Sequence, residues 1–242
     1  MKISQKYLDL CLTDSKVDIL EGVTASGKTT TAISTKFVYM VKKTKEKRHL
    51  IVGKDVGTII SNIISTGTYG LCDTYPNIIK CFNGDAEQKT PHLKLDDNII
   101  YISSYADVSK WKNILGKQLG AVFVDECNIA DMNFIRELFL PRFEYCLMTL
   151  NPDNPNKDIY QQIINRCRPI EKYKDDMPQQ IKDELATGKE HDGWHYWFFG
   201  FDDNPSMTEE RKNELLNSLL PETREYQTYR DWETRMARYA RV

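Results

Sequence analysis

The octapeptide Gly22-Val23-Thr24-Ala25-Ser26-Gly27-Lys28-Thr29 fits the pattern G-x-x-x-x-G-K-[ST] at every fixed position. Each fixed position has a chemical reason. Glycines let a backbone wrap around a phosphate with its N–H groups turned inward. The N-terminus of the helix behind the loop adds a favourable dipole. A lysine at position 28 reaches the β- and γ-phosphates, and the Thr29 hydroxyl is offered to Mg²⁺. Thr30, next along the helix, belongs to the same nucleotide-binding set. The bland alternative is a chance match in a loop rich in Gly, Ser and Thr. An apolar run before the loop and a helical pattern after it argue against that.

A second chemical signal is Ala121-Val122-Phe123-Val124-Asp125-Glu126, four apolar residues ending in two acids. A strand tip can hold a carboxylate beside the phosphate loop. Asp125 is expected to join Thr29 in binding the magnesium, and Glu126 to orient and deprotonate an attacking water. A following Glu fits ATP hydrolysis coupled to motion better than phosphoryl transfer to a small molecule. Thr149-Leu150-Asn151-Pro152 closes the next strand. By itself it reads as a plain Asn-Pro turn. At a parallel strand end beside the acid pair, Thr149 or Asn151 could instead sense the γ-phosphate.

These groups need a scaffold, and the sequence patterns outline one. Val17 to Leu20 reads as the strand feeding the loop. Lys28 to about Lys43 reads as a helix, with Ala32, Ile33, Phe37, Met40 and Val41 on one face. Leu50 to Val52 is a second strand and Asp55 to Ile64 a helix. Between 78 and 103, an Asn83-Gly84 turn and an Asp96-Asp97 turn separate short hairpin-like strands. Asp107 to Leu115 and Met132 to Leu140 read as helices, the latter stopped by Pro141. Tyr145 to Thr149 is a strand. Later come helices at Asp158 to Cys167 and Pro178 to Ala186, and an aromatic strand at Trp194 to Phe201. Ser206 and Glu209 form a capping box for a helix to Leu220. Strands alternating with helices to about residue 150 predict an α/β fold with a mostly parallel sheet covered on both faces.

Composition sets the outer limits. The chain has 242 residues, 40% hydrophobic and 28% charged, as in ordinary globular proteins. A net charge of −2 means that any grip on DNA must come from a local patch. No apolar run reaches the roughly 18 residues of a membrane helix. The N-terminus lacks the apolar stretch of a secretory signal. Six cysteines include no C-x-x-C pair and no Cys/His cluster with zinc-ligand spacing, so they read as thiols in a reducing compartment.

The order of these motifs resembles the ATPase domain of tailed-phage terminase large subunits, the DNA-packaging motors, from about residue 2 to 230. The stretches that carry the resemblance are EGVTASGKTT, SKWKNILGKQLGAVFVDECNIA, FIRELFLPRFEYCLMTLNPDNPN and WFFGFDDNPSMTEE. It implies a P-loop NTPase of the ASCE type, with residues 1–190 as ATPase core and 191–242 as a small lid or linker subdomain. It implies ATP and Mg²⁺ as cofactors and Thr149 and Asn151 as the ATPase coupling motif. Gln5 falls where the family often carries an adenine-contacting Gln. Where the family often places an arginine finger this chain has Leu115, leaving Lys117, Arg136 and Arg142 as the nearest basic candidates, with Lys117 and Arg142 the ones expected to act on a neighbouring subunit. Implied partners are double-stranded DNA, a portal or procapsid, a small terminase subunit and further copies in a ring, in the host cytoplasm and without a membrane. The family's RNase H-like nuclease domain is expected to be absent from this chain, and nuclease activity with it. Other readings are a helicase-like P-loop motor and a slow nucleotide-switched binding module. The Lys42, Lys43, Lys45, Lys47 and Arg48 cluster reads as solvated charge at a helix end. The aromatic run at Trp194 reads as core of the appendage.

Overall fold

A computed structural model describes residues 3–140 and 142–230. Pro141, expected to stop a helix, lies outside the described residues, as do positions 231–242. Eight strands form one sheet: β1 Val17–Gly22, β2 Arg48–Gly53, β3 Ile79–Cys81, β4 His92–Leu95, β5 Asn98–Ser104, β6 Leu119–Val124, β7 Phe143–Leu150 and β8 Trp194–Phe199. Their spatial order is β3-β4-β5-β2-β6-β7-β1-β8. The six strands from β5 to β8 in that order run parallel. The hairpin-like segment supplies the antiparallel end, β3 on β4 on β5.

The central strands carry unbroken apolar runs because both faces are covered. In β6, Val122 and Val124 join one buried cluster while Ala121 and Phe123 join the other, as the two-residue alternation of a strand requires. Helix Lys28–Ala32 continues through a π-helical turn, Ile33–Phe37, into helix Val38–Lys43. Its Phe37 meets Phe123 edge-on, ring centres 6.0 Å apart. Helices Val108–Leu115 and Met132–Leu138 cover the opposite face, where Trp111 and Phe134 pack 5.6 Å apart. Asp18, inside β1, is fully buried and satisfied: it accepts from Ser15, from the Tyr145 hydroxyl at 2.9 Å and from the Trp197 indole at 2.8 Å.

Two expectations change. The aromatic run is not the core of an appendage. As β8 it lies parallel to β1 in the ATPase sheet, Val17 opposite Trp194 through Gly22 opposite Phe199. Nor does Ser206 cap the helix after it. The Ser206 and Met207 amides donate to Asn204 in a turn, at 3.0 and 2.9 Å, so the helix starts later. Thr208 caps it by accepting from the Arg211 amide at 3.2 Å, and the helix runs Glu209–Ser218. The basic cluster is solvated charge: Lys42, Lys43 and Lys47 pair with Asp96, Asp14 and Asp97.

Candidate nucleotide-binding site

The parallel strands β1, β6 and β7 end at one edge of the sheet, and the phosphate-loop motif, the acid pair and the Thr-Leu-Asn-Pro turn are placed at their tips. The loop keeps the conformation that its residue types suggest. Gly27 adopts φ +87° and Ala25 φ +64°, so the backbone curls back before the helix starts at Lys28. Gly22 is glycine for a further reason. A Cβ there would lie 2.2 Å from the Phe199 carbonyl oxygen of β8.

A cleft of about 290 Å³ opens over this edge. Thr24, Ala25, Gly27, Lys28, Thr29 and Thr30 line one side, and Asp125, Glu126, Thr149, Leu150 and Asn151 the other. Gly22, Val23 and Ser26 form the back of the loop. The Asp125 backbone amide donates to Val52 of β2 at 2.9 Å, which holds the acid at the strand tip. Its Oδ1 accepts from the Thr29 hydroxyl at 3.1 Å and from the Thr149 hydroxyl at 2.7 Å. Lys28 Nζ donates to the Val23 carbonyl at 3.0 Å and to Asn151 Oδ1 at 2.6 Å. Burial pulls the Lys28 ammonium down to about 8, against the opposing pull of Glu225, Asp125, Glu21 and Glu126. Glu126 turns into the cleft from a left-handed backbone, φ +49°, ψ +50°. That geometry costs a non-glycine residue about 1–3 kcal/mol and clusters at functional sites.

The residues fit a nucleotide and its metal. A hydroxyl and a carboxylate oxygen, Thr29 Oγ1 and Asp125 Oδ1, are the hard donors that Mg²⁺ prefers. Lys28 is a nearly buried cation whose partners are neutral oxygens, so an anionic phosphate answers its charge.

Several supports come from parts of the chain to which the sequence assigned no role at the site. The Tyr7 hydroxyl donates to the Ser26 carbonyl at 3.1 Å, and its ring stacks on Phe199 with centres 4.4 Å apart. Asn204, in the Asp-Asp-Asn-Pro-Ser stretch, donates to the Ala25 carbonyl at 2.8 Å. Glu225 accepts from the Thr24 amide at 2.8 Å and the Thr24 hydroxyl at 2.7 Å. Asn62 lines the cleft from the turn Ile60–Ile64. Tyr105 keeps a buried hydroxyl with no hydrogen-bond partner. Burial first, then the Glu126 and Asp125 charges, push that phenol up. Beneath the loop Glu21 is buried, accepting from Tyr160 at 3.1 Å and Tyr196 at 3.0 Å; burial raises its carboxyl to about 7.

Three further candidates lie outside the cleft, of which Lys117 and Arg142 were expected to act on a neighbouring subunit. Gln5 does not line the cleft; its amide donates to Asp9 at 2.8 Å, one turn along helix Gln5–Leu12. Lys117 precedes β6 and Arg142 precedes β7, both at the strand starts, roughly 20 Å or more from the cleft at about 3.3 Å per residue. Lys117 donates to the Tyr101 hydroxyl at 3.0 Å, and Arg142 to the Leu115 carbonyl at 2.8 Å. Neither can reach the cleft of its own chain.

Among solved structures, the large terminase of a thermophilic bacteriophage superposes with a TM-score of 0.68 at 17% identity, over 95% of this chain and 53% of that one. The same phage terminase in complex with ATP-gamma-S gives 0.66, also at 17% identity, over 94% and 52%. The ATPase domain of the Thermus phage P74-26 large terminase matches at 0.60 and 12% identity, over 94% of both chains. The chain has the fold of a large terminase ATPase domain. It spans about half the length of the first of these terminases. At such identities the likeness speaks for the terminase ATPase fold alone. No family model and no curated protein matches the sequence. Among the described residues, no helix is long and apolar enough to cross a membrane.

Proposed function

We propose that the chain hydrolyses ATP, with Mg²⁺, to drive double-stranded viral DNA into a procapsid. The observation that carries this is the convergence on Asp125: one carboxylate oxygen accepts from the loop threonine Thr29 and from Thr149, while Asn151 holds the loop lysine. Thr29 and Asp125 would hold the metal, which would supply positive charge to the phosphates when bound. The loop amides and Lys28 bind and orient the phosphates. Glu126 takes a proton from the attacking water. Thr149 and Asn151 touch the metal-binding acid and the phosphate-binding lysine, so loss of the γ-phosphate is felt at the end of β7. That contact supports a coupling role for the pair.

The placement of β7 between β1 and β6 supports the ASCE class. Of the expected lid at 191–242, Trp194–Phe199 belongs to the sheet, and the part after it acts as the lid, since Asn204 and Glu225 hold the loop from there. A neighbouring subunit in a ring completes the site with a cation, for which Lys117 and Arg142 stand at the far edge. DNA, the portal and a small subunit are the partners, met in the host cytoplasm. The test is the ATPase rate of this chain with and without double-stranded DNA. Stimulation by DNA is expected. Turnover indifferent to DNA, with no binding to duplex, would overturn the motor reading and leave a nucleotide switch.

A further inference from the structure

Away from the cleft, at the antiparallel end of the sheet, Cys81, Asp85 and His92 bring their ligand atoms within 4.8 Å of one another. The hairpin sets them there. Cys81 and His92 are direct cross-strand partners of β3 and β4, so their side chains share a face. Asp85 lies in the intervening loop, after Gly84 turns the chain at φ +74°. The amides of Glu87 and Gln88 donate to its Oδ1 at 2.9 and 2.7 Å. Its other oxygen, Oδ2, then lies 3.3 Å from His92 Nε2.

The histidine shows what the cluster lacks. His92 is 0% exposed. Its Nδ1 sits 2.9 Å from the Thr90 carbonyl, which can only accept, so Nδ1 carries a proton. Its Nε2 has no hydrogen-bond partner. A buried lone pair on Nε2 facing a carboxylate oxygen is repulsive, and the Lys94 ammonium beside that oxygen offsets its charge without giving Nε2 a partner. A second ring proton or a metal ion satisfies Nε2 itself. An imidazole tied by Nδ1–H to a carbonyl is the arrangement that orients metal-bound histidines. The thiol opposite favours the metal, because a protonated ring and a carboxylate have no use for a sulfur ligand.

We infer that Cys81, Asp85 and His92 bind Zn²⁺ and pin the β3–β4 hairpin. Thiolate, imidazole and carboxylate together suit zinc and not magnesium. Zinc bonds of about 2.0–2.3 Å place tetrahedral ligand atoms about 3.5 Å apart, so the loop contracts slightly on binding. A water takes the fourth position. Lys94 Nζ now lies 2.7 Å from Asp85 Oδ2 and is one-third exposed, so it can swing out to solvent. Binding is ligand exchange: Zn²⁺ sheds waters, Cys81 releases its thiol proton to solvent, and nothing is oxidised. The site stands apart from the nucleotide reading.

The test uses the full chain, stripped of metal, without nucleotide. Zinc bound at equilibrium is measured by elemental analysis, and Co²⁺ serves as a spectroscopic probe. One zinc per chain is expected, with a thiolate-to-cobalt charge-transfer band and a higher melting temperature that chelation reverses. Cys81→Ser should abolish the band and weaken zinc binding by more than the roughly 10- to 100-fold that loss of an outer-shell partner costs. Cys72→Ser, at a half-buried cysteine elsewhere, should change neither. His92→Gln should lose zinc as Cys81→Ser does; Lys94→Ala leaves the ligands intact and should tighten binding, so it decides the matter even if His92→Gln fails to fold. The inference is overturned by sub-stoichiometric zinc, by a cobalt spectrum without a thiolate band, by binding that survives Cys81→Ser, or by weaker binding in Lys94→Ala.

Discussion

Glu225 places a carboxylate on the Gly22–Thr29 loop, where the proposed nucleotide would bring negative charge. It holds both the amide and the hydroxyl of Thr24, at 2.8 and 2.7 Å, and Thr24 lines the cleft. It is also the foremost acid acting on the Lys28 ammonium. Phosphate and Glu225 therefore compete for the same donors and the same cation. Two unit charges about 4 Å apart repel by about 1 kcal/mol in water and about 4 kcal/mol at an effective dielectric constant of 20. Glu225 is half-buried at the rim, so about 1–2 kcal/mol is reasonable, or about 5- to 30-fold in affinity. Glu225→Gln keeps an oxygen for the Thr24 amide and removes only the charge. Titration with ATP near pH 7 should show affinity rising by that factor. The gain should be smaller for AMP, nil for adenosine and reduced in high salt, as screening requires. Unchanged or weaker ATP binding, or an equal gain for adenosine, would refute the competition.

Glu126→Gln should lower turnover about 10²- to 10⁴-fold with ATP binding nearly intact, whereas Lys28→Ala should weaken binding itself; equal affinities for the two variants contradict the assigned roles. The buried Glu21 makes stability depend on pH. Its folded value, about 7 against the ordinary 4.5, lies above the unfolded one. Its contribution is therefore fully present below about pH 4.5 and lost as pH rises through 7, in all about 3 kcal/mol at about 1.4 kcal/mol per pH unit. In urea denaturation across that range, wild type should lose about this much relative to Glu21→Gln, and a pH-independent difference counts against the raised carboxyl. Gly22→Ala drives a methyl into the backbone of β8, since Phe199 offers fixed main-chain atoms and not a flexible tip. It should cost more than the roughly 1–3 kcal/mol of ordinary overpacking, and near-wild-type unfolding would show that β8 can yield.

The residues that line the cleft were legible because they sit in contiguous stretches. The phosphate loop is eight consecutive residues whose turn needs Gly27, and the acid pair ends an apolar run that reads as a buried strand. Thr149 and Asn151 read locally as a turn, and resemblance to terminases was needed to bring them to the site. Glu225 was not legible, and Asn204 stood out only within a stretch that resembles terminases, with no role attached to it. They meet the loop across 201 and 179 residues, a contact that local sequence does not encode. Gln5 shows the converse, a residue suggested by position that bonds along its own helix. The zinc ligands escaped a search for paired cysteines because one of them is an aspartate and the hairpin, not a fixed spacing, brings the three together.

By itself the sequence determined the periodic elements, the phosphate loop and the two acids, since these depend on backbone geometry within one strand, turn or helix. Only the tertiary structure decided which strand borders β1. The aromatic run Trp194–Phe199 has the composition of core anywhere, and its hydrogen bonds to β1 set its place in the sheet. The same holds for Lys117 and Arg142, which lie near the acid pair in the chain but a full strand length from the cleft. A strand holds the residues before it and the residues after it apart by its whole length. A residue's side of the sheet edge therefore depends on strand direction and order, which local composition does not encode.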